Sequence, residues 1–74
     1  MTTKDIKYTK LVGINIKLAR VKAGLTQEAL AEKANLSRET IGDTERGTKS
    51  PTVSTIGAIA DALDIEMYKF FIFD

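Results

Sequence analysis

Cysteine and histidine are both absent from the 74 residues. That excludes disulfides, thiolate nucleophiles, thiol or imidazole zinc sites and the side chain that most often serves as a general base near neutral pH. No apolar run approaches the ~20 residues a membrane-spanning helix needs, and the N-terminal MTTKDIKYTK lacks the apolar stretch of a signal peptide. A cytoplasmic protein with no membrane partner is the expectation. Alternating β-branched runs, internal repeats and low-complexity segments are also missing, which removes the sheet-based and solenoid folds. An excess of one charge is lacking too, since 11 Lys and Arg stand against 10 Asp and Glu for a net +1.

What remains is a composition of 43% hydrophobic and 28% charged residues, close to the globular average, in a chain with room for one core. A single domain over residues 1–74 is predicted. The near-neutral total conceals an uneven distribution. Residues 1–22 carry six basic side chains and one acidic, residues 23–49 four and five, and residues 50–74 one and four, giving +5, −1 and −3. A basic first third joined to an acidic last third points to one face, rather than the whole surface, meeting a polyanion.

Gly24, Asn35, Gly47 and Ser50-Pro51 punctuate the chain at short intervals, each followed by a hydroxyl residue able to begin a helix. The pattern reads as an all-α fold, a compact bundle of about five helices, with residues 1–9 as an N-terminal arm. Thr26 caps a helix whose entry is stapled by Leu25 against Leu30, and Ser37 caps the next, with Leu36 placed to meet Ile41. Only Ala34-Asn35-Leu36 separates them, and Asn35 tolerates the left-handed conformation needed for so sharp a turn. Two short helices joined in this way over about residues 26–46 form a helix-turn-helix unit.

The string from Val12-Gly13 through Leu25-Thr26-Gln27, Leu30-Ala31, Leu36-Ser37, Ile41, Glu45-Arg46-Gly47, Pro51 and Ala60-Asp61-Ala62-Leu63 resembles the lambda-repressor-like DNA-binding domains of phage repressor and Cro-type, XRE-like regulators. The resemblance covers about residues 11–71. It implies sequence-specific double-stranded DNA binding by a transcriptional regulator, a repressor reading a palindromic operator as a homodimer. No enzymatic reaction, cofactor, metal or small-molecule substrate is implied. The second helix of the unit then lies in the major groove. Carried over residue by residue, Ser37, Arg38, Glu39, Thr40 and Asp43 meet base edges. Gln27, Arg46, Thr48, Lys49 and Ser50 meet the DNA backbone, and Arg20 and Glu45 form a structural ion pair. Arg38 suits guanine, whose O6 and N7 match its planar fork.

Several residues depart from that pattern. Glu39 and Asp43 place carboxylates where phosphates repel them. Glu39 alternatively stabilises the positive end of its own helix, and Asp43 alternatively pairs with Arg38 or Arg46. Gly42 and Thr44 replace larger family residues; a mid-helix glycine costs about 1 kcal/mol relative to alanine, or else admits close approach of DNA. The expected core comprises Leu30, Ala31, Leu36, Ile41, Val53, Ile56, Ile59, Ala60 and Leu63. The first helix carries two apolar stripes, Val12, Ile16, Ala19 and Ala23 on one side and Leu11, Ile14, Leu18 and Val21 almost opposite. The second stripe should be covered by Ile6 and Tyr8, by the tail Phe71-Ile72-Phe73, or by a second subunit. Phe70 is expected to close the core. Two other readings compete: an antitoxin-like or adaptor protein-interaction module, favoured by the acidic middle section, and a hydrolase built on Asp61 and Asp64.

Overall fold

The computed structural model describes the backbone of residues 3–73 and the side chains of residues 6–73. Four α-helices follow one another, α1 over Thr3–Lys22, α2 over Gln27–Ala34, α3 over Arg38–Arg46 and α4 over Val53–Leu63, before a 3₁₀ turn over Met67–Phe71. The all-α class is as expected, and the fifth helix is reduced to that turn. Residues 3–9 form the first two turns of α1 rather than an arm. At 1.5 Å per residue, 20 residues of α1 span about 30 Å. This accounts for the longest dimension of the molecule, 31 Å.

Local chemistry sets the helix boundaries. The hydroxyls of Thr26, Ser37 and Thr52 accept from the backbone N–H groups of Ala29, Thr40 and Thr55, each at 3.0 Å, and so satisfy an orphan donor at the start of α2, α3 and α4. Asn35, Gly47 and Asp64 end the same three helices in the left-handed conformation, with φ of 56°, 72° and 56°. The Asn35 N–H returns to the carbonyls of Ala31 and Glu32, so α2 stops and α3 starts within a three-residue turn.

α1 packs against α3, the 3₁₀ turn and α4, while α2 packs against α3 and α4. Between them lies a core of Val12, Ile16, Leu30, Ala31, Ile41, Ile56, Ile59, Ala60 and Phe70. Leu25 and Leu36, the residues preceding the two caps, pack against it from the edge, as do Leu63, Ile65 and Met67. Phe70 is the aromatic residue that closes this core, with 2% of its surface exposed.

Three expectations are corrected. Val53 is 74% exposed, because it is the first residue of α4 and points away from the layer formed by Ile56, Ile59 and Ala60. Ala23 lies beyond the end of α1 and is exposed. The second stripe of α1 is not covered within the subunit: Leu11 is half-buried, but Ile14, Leu18 and Val21 are exposed. The tail instead crosses α1 at Asn15, whose Nδ2 donates to the carbonyls of Phe70 at 2.9 Å and Ile72 at 3.0 Å. Phe73 then stacks obliquely on Tyr8, with ring centroids 6.0 Å apart. A side-chain amide that needs two acceptors fixes the path of the tail, and the apolar stripe beside it stays open.

Candidate nucleic-acid interface

The N-terminal turns of α3 present Arg38 and Glu39 outward, both exposed. Ser37 and Thr40 flank them in sequence, with their hydroxyls 2.8 Å apart and Ser37 also accepting from the Thr40 N–H. These two side chains are committed to the cap, which rigidifies the turn that aims Arg38. Arg38 lies 3.8 Å from Glu28 in the first turn of α2, a loose pair with both side chains in water. Sequence reasoning missed this partner. The signal was present: a first-turn acid on one helix of the unit faces the first turn of the next.

Asp43, expected at a base edge or paired with Arg38 or Arg46, lies against the loop that follows α3. Its side chain is 16% exposed and receives Arg46 Nη2 at 2.8 Å and the Thr48 hydroxyl at 3.2 Å, with Lys49 Nζ at 3.5 Å. The Thr48 N–H also donates to the Asp43 carbonyl at 3.1 Å. Of the two partners weighed for Asp43, the structure selects Arg46 and adds Lys49. Desolvation is the largest single influence on this carboxyl and raises its pKa, but Thr48, Lys49 and Arg46 together outweigh it and hold the pKa below the ordinary carboxylate value. Asp43 thus braces the loop from Arg46 to Ser50 against the last turns of α3. Glu39, Thr40, Asp43, Lys49 and Ser50 line a shallow depression of about 190 Å³ between helix and loop.

Between α1 and α3, Arg20 and Glu45 join the two helices through two parallel bonds, Nε to Oε2 at 2.6 Å and Nη2 to Oε1 at 3.1 Å. Their side chains are only 11% and 3% exposed. The hydrogen bonds that Arg20 donates to Glu45 raise its pKa despite the opposing effect of burial, so the guanidinium stays charged. Arg20 Nη1 donates to the Leu25 carbonyl at 2.8 Å, and Gln27 Nε2 donates to Glu45 Oε1 at 3.1 Å. One buried carboxylate therefore ties together α1, the start of α2 and α3. Gln27, expected at a phosphate, is held at the start of α2, where backbone N–H groups point outward.

Gly42 is buried, so it presents no open backbone to a ligand, and a Cβ added there would first meet the Arg46 guanidinium, 3.0 Å from Nη1. Asp61 and Asp64 sit exposed at the end of α4, where Asp64 serves as the left-handed cap. Among the described residues no cluster of three or more acidic side chains could hold a metal, and no helix is long and apolar enough to cross a membrane.

Comparison with known proteins agrees with this architecture. The immunity repressor protein of Bacillus phage phi105 is 50% identical over 56 residues, which is 76% of this chain and 39% of the repressor. The chain thus spans about two fifths of that relative. An HTH-type transcriptional regulator of Sinorhizobium fredii is 39% identical over 56 residues, covering 76% of this chain and 73% of the regulator. Among solved structures, the restriction-modification controller protein C.AhdI of Aeromonas hydrophila superposes with a TM-score of 0.83 at 35% identity, over 85% of this chain and 96% of that one. The helix-turn-helix family HTH_3 matches residues 16–70, from the middle of α1 to the aromatic residue that closes the core, and the chain belongs to that family.

Proposed function

We propose that this protein is a transcriptional regulator that binds double-stranded DNA sequence-specifically and acts by occupying its site, as a repressor, with no reaction, cofactor or small-molecule substrate. The observation that carries this is the placement of α3. Its first turns hold Arg38 and Glu39 outward on a capped, rigid start, flanked by Gln27 at the start of α2 and by the braced loop Thr48–Ser50. In this reading Arg38 and Glu39 meet base edges, Ser37 and Thr40 hold the turn that presents them, and Asp43 positions the loop. Gln27, Arg46, Thr48, Lys49 and Ser50 meet phosphates, which set register without reading sequence.

A single domain of this size reaches one half-site, and two copies about a two-fold axis would read a palindrome with half-sites about 34 Å apart. A homodimer is supported by the large apolar side chains left in water in one copy, which include Ile14, Leu18 and Val21 on α1 and Tyr8, Val53, Phe71 and Phe73 around the tail. Selection of bound sequences from a random DNA pool tests the reading. A palindromic consensus is expected, and failure to enrich any sequence refutes it. On the selected site, Arg38→Ala should relax preference at one position per half-site and cost ~1–3 kcal/mol there, while Lys49→Ala should weaken all sequences alike. Uniform loss in both variants would refute the division of roles.

The protein-interaction reading draws on the apolar groove bounded by Tyr8, Val53, Phe71 and Phe73. Under it, partner binding would be insensitive to salt, whereas phosphate binding weakens steeply as salt rises.

A further inference from the structure

The surface assigned to DNA carries no net charge. Arg38, Arg46 and Lys49 are the cations of α3 and its loop, and Glu28, Glu39 and Asp43 are the carboxylates among them. Each cation also lies within reach of a carboxylate, Arg38 at 3.8 Å from Glu28, Arg46 at 2.8 Å and Lys49 at 3.5 Å from Asp43. Arg20 is committed to Glu45. Affinity for a polyanion scales with the phosphates that cations neutralise, so a face balanced in this way gains from further cations beside Arg46 and Lys49.

We propose that Lys10 and Lys17 of α1 form a further DNA-backbone site outside the helix-turn-helix unit, taking phosphates beside the groove that α3 reads. The proposal rests on the DNA-binding reading above. Both lysines are exposed, and among the described residues neither is within salt-bridge distance of a carboxylate. Lys10 is placed by Gly47. A Cβ on Gly47 would lie 2.7 Å from Lys10 Cγ and 2.9 Å from its Cα, so the lysine stem starts against the residue that ends α3 and precedes Thr48, Lys49 and Ser50. Lys17 follows seven residues later, two turns along the same side of α1 and about 10 Å along its axis. It stands one turn beyond Gly13, which abuts the carbonyls of Thr44 and Glu45, and three residues before Arg20. The two lysines thus stand on either side of Gly13 along α1, Lys10 beside the residue that ends α3 and Lys17 one turn before Arg20.

Other lysines occupy different surroundings. Lys7 lies over the Tyr8 ring at 5.8 Å, Lys22 borders the groove beneath Phe70, and Lys33 belongs to a depression shared with Ala58 and Asp61 at the far end of α2.

The test uses Lys10→Gln, Lys17→Gln, the double variant and Lys33→Gln as a control, with glutamine retaining most of the stem that packs on Gly47. Thermal melts establish that each variant folds. Affinity is measured by fluorescence anisotropy across a salt titration, on a labelled random-sequence duplex and on a duplex selected from the random pool. The magnitude of the slope of log affinity against log salt is expected to fall by about 1 for each lysine removed, with equal loss on both duplexes and no change for Lys33→Gln. Salt-dependent binding by the wild type, with an unchanged slope in the double variant, overturns the proposal and leaves the DNA-binding reading standing. Absence of salt-dependent binding by the wild type overturns both.

Discussion

Gly13 sits in the middle of α1, where intrinsic propensity favours alanine by about 1 kcal/mol. The tertiary structure predicts the opposite outcome for Gly13→Ala. An added Cβ would press into the carbonyl oxygen of Thr44 and lie 2.6 Å from that of Glu45, about 0.8 Å inside the 3.4 Å of ordinary contact. Both obstacles are backbone atoms of α3, so no side chain can swing away. The two helices must separate, and overpacking of this kind costs ~1–3 kcal/mol. Separation also stretches the Arg20–Glu45 bridge two turns further along α1, adding to the upper end of that range. Setting ~2–3 kcal/mol against the propensity gain of about 1 leaves a net loss of ~1–2 kcal/mol, or a fall in Tm of roughly 4–16 °C for a domain of this size. Gly57 provides the matched control: it lies inside α4 with nothing within 4 Å of an added Cβ. Gly57→Ala should therefore gain up to about 1 kcal/mol and raise Tm by ~4–8 °C. Differential scanning calorimetry of the two variants decides the matter. A Gly13→Ala protein as stable as Gly57→Ala would refute the close packing of α1 on α3.

Glu45→Ala strands a buried guanidinium and should cost ~3–5 kcal/mol, lowering Tm well beyond the effect of Asp43→Ala; urea titrations giving the reverse order would remove the bridge as the main tie between α1 and α3. Because the folded-state pKa of Asp43 lies below its ordinary value of 3.8, its contribution is present above that value and lost as pH falls through it toward the folded pKa. Asp43→Asn should therefore lower stability at neutral pH and flatten the decline below about pH 4, read from Tm against pH; parallel profiles for variant and wild type would contradict the bracing role. Removing residues 72–74 takes one of two carbonyl acceptors from Asn15 and the ring partner from Tyr8. A lower Tm at every protein concentration is expected, and a Tm unchanged by the truncation would mean the tail contributes nothing.

Features settled within four or five residues were legible from the chain alone. Thr26 and Ser37 cap α2 and α3 because a side-chain oxygen reaches an N–H three residues on, and Asn35 and Gly47 end those helices because few other residues accept positive φ. Arg20 and Glu45 were found through the family resemblance, since nothing in their separation of 25 residues marks them as a pair.

The sequence by itself therefore determined the helical class, the turn that joins α2 to α3 and the residues that begin α3. Whether the tail covers the second apolar side of α1 was decided only by tertiary structure. Asn15 takes the carbonyls of Phe70 and Ile72 and fixes the tail's path, and Ile14, Leu18 and Val21 are left exposed. The partners of Asp43, the pairing of Arg38 with Glu28 and the seat of Lys10 on Gly47 were also settled there. Hydrogen-bonding pattern and backbone preference act over one helical turn and are written into neighbouring residues. Close packing and charge balance depend on what the folded chain brings within a few ångströms from elsewhere in the sequence.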